Sequence, residues 1–231
     1  MDLVQLGNVG GFFALRTGAP PRGALPLAEV YAGEGAALGH RVGKVVARLR
    51  APEVRVGVSV AQLGLAARLC SVAVGGAALF CAVPDLDPRR LYWDPDGTSP
   101  DDLWIDRVDP LPVDRIAEVL WEGHLAPLSA VLTRHYRIAP GLLRGNAGSA
   151  LAGSVRELET WAGKAGRPEV AAGGREAAEA LLVHPGLRAE GPLPAPGARH
   201  RRRSCCLYYR CPGGGLCGDC CFDAPPRSRQ R

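Results

Sequence analysis

Residues 52–84 read PEVRVGVSVAQLGLAARLCSVAVGGAALFCAVP, and the architecture turns on how this stretch is taken. Pro52 and Glu53 supply a helix start, and Val56, Val60, Leu63, Ala67, Cys70 and Val74 recur at helical spacing behind them. The apolar run from Leu69 to Val83 invites a membrane reading, but it falls short of the roughly 20 residues a span needs. Gly75 and Gly76 interrupt it, and Gln62 and Arg68 interrupt its approach. The expectation is a buried core helix, broken at the glycines, with Cys70 and Cys81 as small core residues rather than ligands.

Working outward, residues 7–23 read as loop apart from an apolar Phe12-Phe13-Ala14-Leu15 patch that should pack. Helices are expected over 25–32 and 40–49. Leu91-Tyr92-Trp93 and Leu103-Trp104-Ile105 flank a turn-rich segment and predict a strand pair. Helical patterns return over 114–137, with Pro127 dividing the run, then over 146–161 with Asn146 as N-cap, and over 168–182. The fold class that follows is mainly α, an α+β chain with a small β-hairpin. Its expected organisation is a helical body (1–184), a Pro/Gly linker (185–200), a cysteine-rich module (201–222) and a basic tail (223–231).

At 231 residues, 47% hydrophobic and 22% charged, the chain is long enough to bury a core. Its N-terminus has neither a positive segment nor a continuous apolar segment of the secretory kind, so a cytoplasmic location, reduced cysteines and no transmembrane span are expected. The net charge of +5 is unevenly placed: eight arginines and only Asp219 and Asp223 lie from Arg199 onward. The tail residues Arg227, Arg229 and Arg231 read as a solvated end. Arg201-Arg202-Arg203 abut the cysteines, where cations offset the charge of thiolates.

Six of the 8 cysteines fall between Cys205 and Cys221. Cys205 and Cys206 are adjacent, ten residues separate Cys206 from Cys217, and two separate Cys217 from Cys220. Gly218 and Asp219 suit the reversal that lets a C-x-x-C pair share a metal, and Pro212-Gly213-Gly214-Gly215 lets the chain double back. Four thiolates are what a 2Fe–2S cluster takes. On spacing alone zinc serves equally, a disulfide knot is a third reading, and Cys211 and Cys221 leave other quartets open.

The run Arg203-Ser204-Cys205-Cys206-Leu207-Tyr208-Tyr209-Arg210, followed by Gly214-Gly215-Leu216-Cys217-Gly218-Asp219-Cys220, resembles the C-terminal signature of the FhuF-type ferric iron (ferric-siderophore) reductases. Gly11 to Arg16, Arg55 to Ser71 and Gly145 to Leu151 resemble the family's weaker motifs. The resemblance implies a 2Fe–2S cluster held by Cys205, Cys206, Cys217 and Cys220. It also implies a ferric siderophore as substrate and an external electron donor such as a ferredoxin or flavodoxin. On that reading Arg68, Arg144 and Asn146 are candidate contacts of the body to an anionic chelate.

Nucleotide-binding glycine loops, a dinucleotide fingerprint, H-E-x-x-H and a nucleophile elbow are all missing from the sequence. The five histidines, His40, His124, His135, His184 and His200, are scattered and read as surface or capping residues. A one-electron centre without a second cofactor motif suits relay chemistry. Two other readings differ in kind: a zinc-stabilised basic module that binds nucleic acid through its arginines and Tyr208-Tyr209, and an iron–sulfur redox sensor. The reductase reading expects no nucleic-acid partner.

Overall fold

A computed structural model describes residues 1–33 and 36–226, so Arg227, Arg229 and Arg231 lie outside the described residues. Helices α1 (Leu3–Gly7), α2 (Leu27–Ala32), α3 (Ala37–Leu49) and α4 (Val54–Phe80) fill the first third of the chain. A π-helical turn (Glu118–Leu125), α5 (Ala126–Tyr136), α6 (Pro140–Ala165) and α7 (Pro168–Leu182) follow. Strands are short: β1 (Arg16–Thr17), β2 (Leu25–Pro26), β3 (Val83–Pro84), β4 (Leu91–Trp93), β5 (Leu103–Ile105) and β6 (Pro110–Leu111).

The expected central helix forms as α4, and α3, α6 and α7 pack around it. It is the one helix among the described residues long and apolar enough to cross a membrane, and most of it is buried inside the protein, as a core helix is. It does not break at Gly75-Gly76. A Cβ at Gly75 would stand 2.6 Å from Phe13 and 2.7 Å from Leu6, so the glycine is there to admit neighbours. Phe13 is buried at this contact and Leu15 is buried as well, while Phe12 stays exposed. Cys70 is a core residue as expected. Cys81 is not: it ends α4 in a left-handed conformation with its side chain exposed.

The strand pair forms in the expected place, antiparallel, with Leu91 opposite Ile105 and Trp93 opposite Leu103. Those four side chains are buried on one face and Tyr92 and Trp104 lie on the other, as strand periodicity requires. The pair is the centre of a four-stranded sheet in the order β1-β5-β4-β2, and β3 and β6 make a second, two-stranded one.

Two expectations about buried polar residues fail. Arg68 is almost wholly inaccessible, and its guanidinium donates to Asp102 at 2.7 Å, to the Gly11, Phe12 and Ala14 carbonyls and to Pro100. Every nitrogen is engaged, so Arg68 has no donor to offer a chelate; it pins the Gly11–Ala14 loop to α4. His124, expected at the surface, is in the core: Tyr31 OH lies 2.8 Å from its Nδ1 and the Leu86 carbonyl 2.7 Å from its Nε2. Burial holds its pKa down at about 4, so it is neutral at neutral pH.

Helix α6 begins at Pro140, six residues before the expected start, with proline in the first turn where its missing N–H costs nothing. Asn146 is therefore an interior residue, fully buried against α4, and not an N-cap. Residues 185–200 carry only a short 3-10 turn (Arg188–Glu190) and lie against the body: Leu187 is buried and the Pro194 carbonyl accepts from Arg175.

Candidate iron-sulfur centre

The sequence brings the cysteine pairs together through backbone contacts that arginines complete. The Arg202 N–H donates to the Asp219 carbonyl at 3.0 Å, which lays the segment entering Cys205-Cys206 beside the Cys217–Cys220 turn. Arg199 donates to the Gly218 and Cys220 carbonyls, and Arg201 to that of Cys221. The turn closes on itself through Cys220 N–H to the Cys217 carbonyl, 3.1 Å.

Adjacent side chains in extended backbone diverge, which makes Cys205-Cys206 an awkward ligand pair. The chain meets this with Leu207 at φ +68, the left-handed region that a branched-chain residue enters only at a cost. The turn aims the Leu207 N–H at Cys205 Sγ, 3.2 Å away, and leads into a 3-10 turn, Tyr208–Arg210. The Phe222 N–H makes a matching contact to Cys220 Sγ at 3.4 Å. Backbone N–H groups aimed at sulfur are among the levers that set the potential of iron–sulfur centres.

Cys206 and Cys220 are buried, and Cys205 and Cys217 are half-buried. Burial first, and then Cys206 beside it, push the Cys217 thiol up to about 12, while Arg202 acts the other way. Burial pushes the Cys205 thiol up to about 11, with Cys206, Cys220 and Cys221 as neighbours. Thiols this reluctant to ionise become ligands when a metal cation takes the place of the proton. The two extra cysteines are close as well: Cys211 is buried near Cys206, and Cys221 sits beside Cys205 and Cys220. Among the described residues no three His, Cys, Asp or Glu side chains converge on one ion. A cluster shared by two irons asks for only two cysteines at each.

The clearest sign of a missing partner is Arg202. Its side chain is 3% exposed, its Nη2 donates to Asn146 Oδ1, and its Nε and Nη1 have no hydrogen-bond partner. A buried guanidinium with two idle N–H groups costs on the order of 1–3 kcal/mol per unsatisfied group unless something anionic completes it. Cys217 and Cys221 both feel its charge. A sulfur-rich anionic group is what this environment fits.

The helical body holds Arg202 in place. Asn146 Nδ2 donates to the Ser59 carbonyl (2.9 Å), Ser59 Oγ (3.1 Å) and Gln62 Oε1 (2.8 Å), so its Oδ1 is left facing Arg202. Gly145 makes room: a Cβ there would collide with Ser204, whose hydroxyl donates to the Gly141 carbonyl. Arg210 pairs with Glu53 at the start of α4. Sequence reasoning missed this role of Asn146, Ser59 and Gln62. The run Gly145-Asn146-Ala147-Gly148-Ser149-Ala150, small residues inside a helix, was the signal of a close approach.

Residues 202–222 match the FhuF 2Fe-2S C-terminal domain. This segment is an FhuF-type 2Fe–2S domain, and the cofactor it binds is a 2Fe–2S cluster. No curated protein matches the chain. The FhuF-type match covers the cysteine segment together with Arg202, whose half-satisfied guanidinium thus belongs to the same unit as the sulfurs. Of the body residues raised by the sequence, Arg68 and Asn146 are buried and committed elsewhere. Arg144 is half-exposed on α6 and pairs with Glu190 at 3.1 Å.

A cavity of about 420 Å³ opens beside this FhuF-type domain. Phe12, Leu63 and Ala67 line one side and Arg202, Cys217 and Asp219 the other.

Proposed function

We propose that this protein is a ferric-siderophore reductase, an oxidoreductase acting on metal ions in the cytoplasm, with Cys205, Cys206, Cys217 and Cys220 as the cluster ligands. The observation that carries the reading is the FhuF-type 2Fe–2S domain seated at the mouth of a ligand-sized cavity. One electron from an external donor protein of the ferredoxin or flavodoxin class reduces Fe(III) in the chelate to Fe(II), and the donor is oxidised by one electron. When bound, the 2Fe–2S cluster supplies the one-electron relay between them.

The chain's own residues prepare the site. Arg202, positioned by Asn146, places a fixed positive charge against the sulfurs, which favours the more negative, reduced state and raises the potential. Arg199 and Arg201 fix the carbonyls of the Cys217–Cys221 turn, so the ligands need little rearrangement. Arg144 is the remaining candidate for touching an anionic part of the chelate. Reduction weakens the hold of hard oxygen donors on iron, and Fe(II) is released.

The test is iron release from a ferric siderophore by purified holoprotein and an artificial reductant, read with an Fe(II) chelator. Release well above that of the variant with Cys205, Cys206, Cys217 and Cys220 all changed to serine supports the reading; equal rates sink it. Single Cys211→Ser and Cys221→Ser variants should keep the cluster absorbance, which checks the quartet.

A further inference from the structure

Residues 199–203 alternate in burial as extended backbone does: His200 and Arg202 are buried, and Arg199, Arg201 and Arg203 are exposed. The alternation puts three guanidinium groups on the outer side of a stretch about 13 Å long. Two of them touch the ligand turn. Arg199 donates to the Gly218 carbonyl at 2.6 Å and to the Cys220 carbonyl at 3.1 Å, and Arg201 donates to the Cys221 carbonyl at 3.0 Å. A molecule seated on this face is one side chain away from a ligand cysteine.

The face keeps a positive charge. Arg201 pairs with Asp223, which is itself exposed. Arg203 lies over Gly191, where a Cβ would stand 3.2 Å from its Nη2, and meets no carboxylate among the described residues. Three cations thus face one carboxylate. The cavity beside the cysteines takes none of them: Arg202, Cys217 and Asp219 line it, and Arg199, Arg201 and Arg203 do not.

A positive surface that borders the ligand turn and stays outside the cavity suits a negatively charged protein that arrives, hands over an electron and leaves. Electron-transfer encounters are small and weak, so a patch of this size is enough. Nucleic acid is the other polyanion such a strip could meet, but the aromatic residues beside it are not free to stack on bases. Tyr209 packs edge-on against Phe222, with ring centroids 5.8 Å apart, and Arg210 lies over its ring.

We propose that the outward face of Arg199, Arg201 and Arg203 is the landing surface of the electron donor, an acidic ferredoxin, and that the electron enters at the Cys220–Cys221 end of the turn. The proposal rests on the reductase reading. The exchange balances as one electron lost by the ferredoxin and one gained by this protein, with no bond made or broken.

The test is stopped-flow reduction of the oxidised holoprotein by a pre-reduced acidic plant-type ferredoxin, at about 0.02 and 0.3 M salt. Arg203→Glu reverses the charge that has no partner in the chain, and Asp223→Lys removes the one carboxylate from the face. Cluster absorbance and reduction by dithionite serve as controls for both variants. The bimolecular rate of the unaltered protein should fall about tenfold between low and high salt. At low salt Arg203→Glu should slow the reaction about tenfold and Asp223→Lys should speed it about threefold, and both differences should shrink at high salt. A change in potential alone would persist at high salt.

Rates that ignore both substitutions and the salt overturn the landing surface, while iron release driven by an artificial reductant leaves the reductase reading intact. A single-stranded oligonucleotide that binds the face at about 0.15 M salt and is lost with Arg203→Glu, in a protein whose ferredoxin rate ignores that substitution, assigns the strip to nucleic acid and overturns the proposal. The predicted rate pattern in a protein that reduces no ferric chelate upholds the surface and overturns the reductase reading instead.

Discussion

Two buried arginines divide this molecule into what is finished and what is waiting. Arg68, in the helical core, has all its donors engaged by Asp102 and by four backbone carbonyls. Arg202, in the cysteine segment, is as deeply buried but reaches only Asn146. Both positions sequester a permanent cation, which a protein does only with a counter-charge at hand. In the core the counter-charge is a carboxylate in the same chain. At the cysteines the described residues offer the Arg202 side chain no carboxylate, and a bound 2Fe–2S cluster would supply the counter-charge.

The contrast is open to attack first at its finished end. Asp102→Ala leaves the Arg68 charge buried without its carboxylate and should cost about 3–5 kcal/mol of stability, measured as a shift in the denaturant midpoint. A small loss would mean that the carbonyls alone suffice and that burial of an unmatched guanidinium is cheap here.

His124 sharpens the comparison as a buried base satisfied in its neutral form. Its folded pKa of about 4 lies below the ordinary histidine value, so between those pH values the unfolded chain binds a proton that the folded chain does not. Stability should therefore be full above about pH 6.5 and fall by roughly 3 kcal/mol as pH drops through that window to about 4. Urea midpoints of the native chain and of His124→Gln across that range check it; the variant should lose this component of the slope.

At the waiting end, Asn146→Ala removes the one partner Arg202 has and three donated hydrogen bonds between α4 and α6. A loss of about 1–3 kcal/mol is expected, and cluster occupancy should fall with it. Arg202→Met should behave differently from any change at Arg68. The cluster-free protein should hold its stability or gain some, since an unsatisfied buried charge is gone. The holoprotein's reduction potential should drop, with about 1 kcal/mol of lost charge stabilisation corresponding to roughly 40 mV for one electron. Redox titration followed by EPR gives the shift, and an unchanged potential would separate Arg202 from the cluster.

The same division marks how far the sequence could be read. The core helix, the strand pair at Leu91 and Leu103 and the cysteine spacing were legible because each is a local pattern, a period or a separation along the chain. Helix α6 starts at Pro140, ahead of the expected start, because Asn146 has the chemistry of an N-cap but is an interior residue whose amide serves α4 and Arg202. Gly75-Gly76 looked like a break and is a packing site. Arg68 looked like an exposed anion contact because nothing local to α4 announces Asp102, 34 residues further on, or the Gly11–Ala14 carbonyls. The role of Asn146 depends on long-range neighbours, Ser59, Gln62 and Arg202, and no window of sequence contains those.

The most direct test of the account mixes anaerobically reduced holoprotein with an excess of a ferric siderophore in a stopped-flow spectrometer, with no other reductant present. The account requires the cluster's oxidised absorbance to return in a single phase while one Fe(II) appears for each cluster oxidised. A cluster that stays reduced in the presence of the siderophore, yet is oxidised at once by ferricyanide, would contradict it.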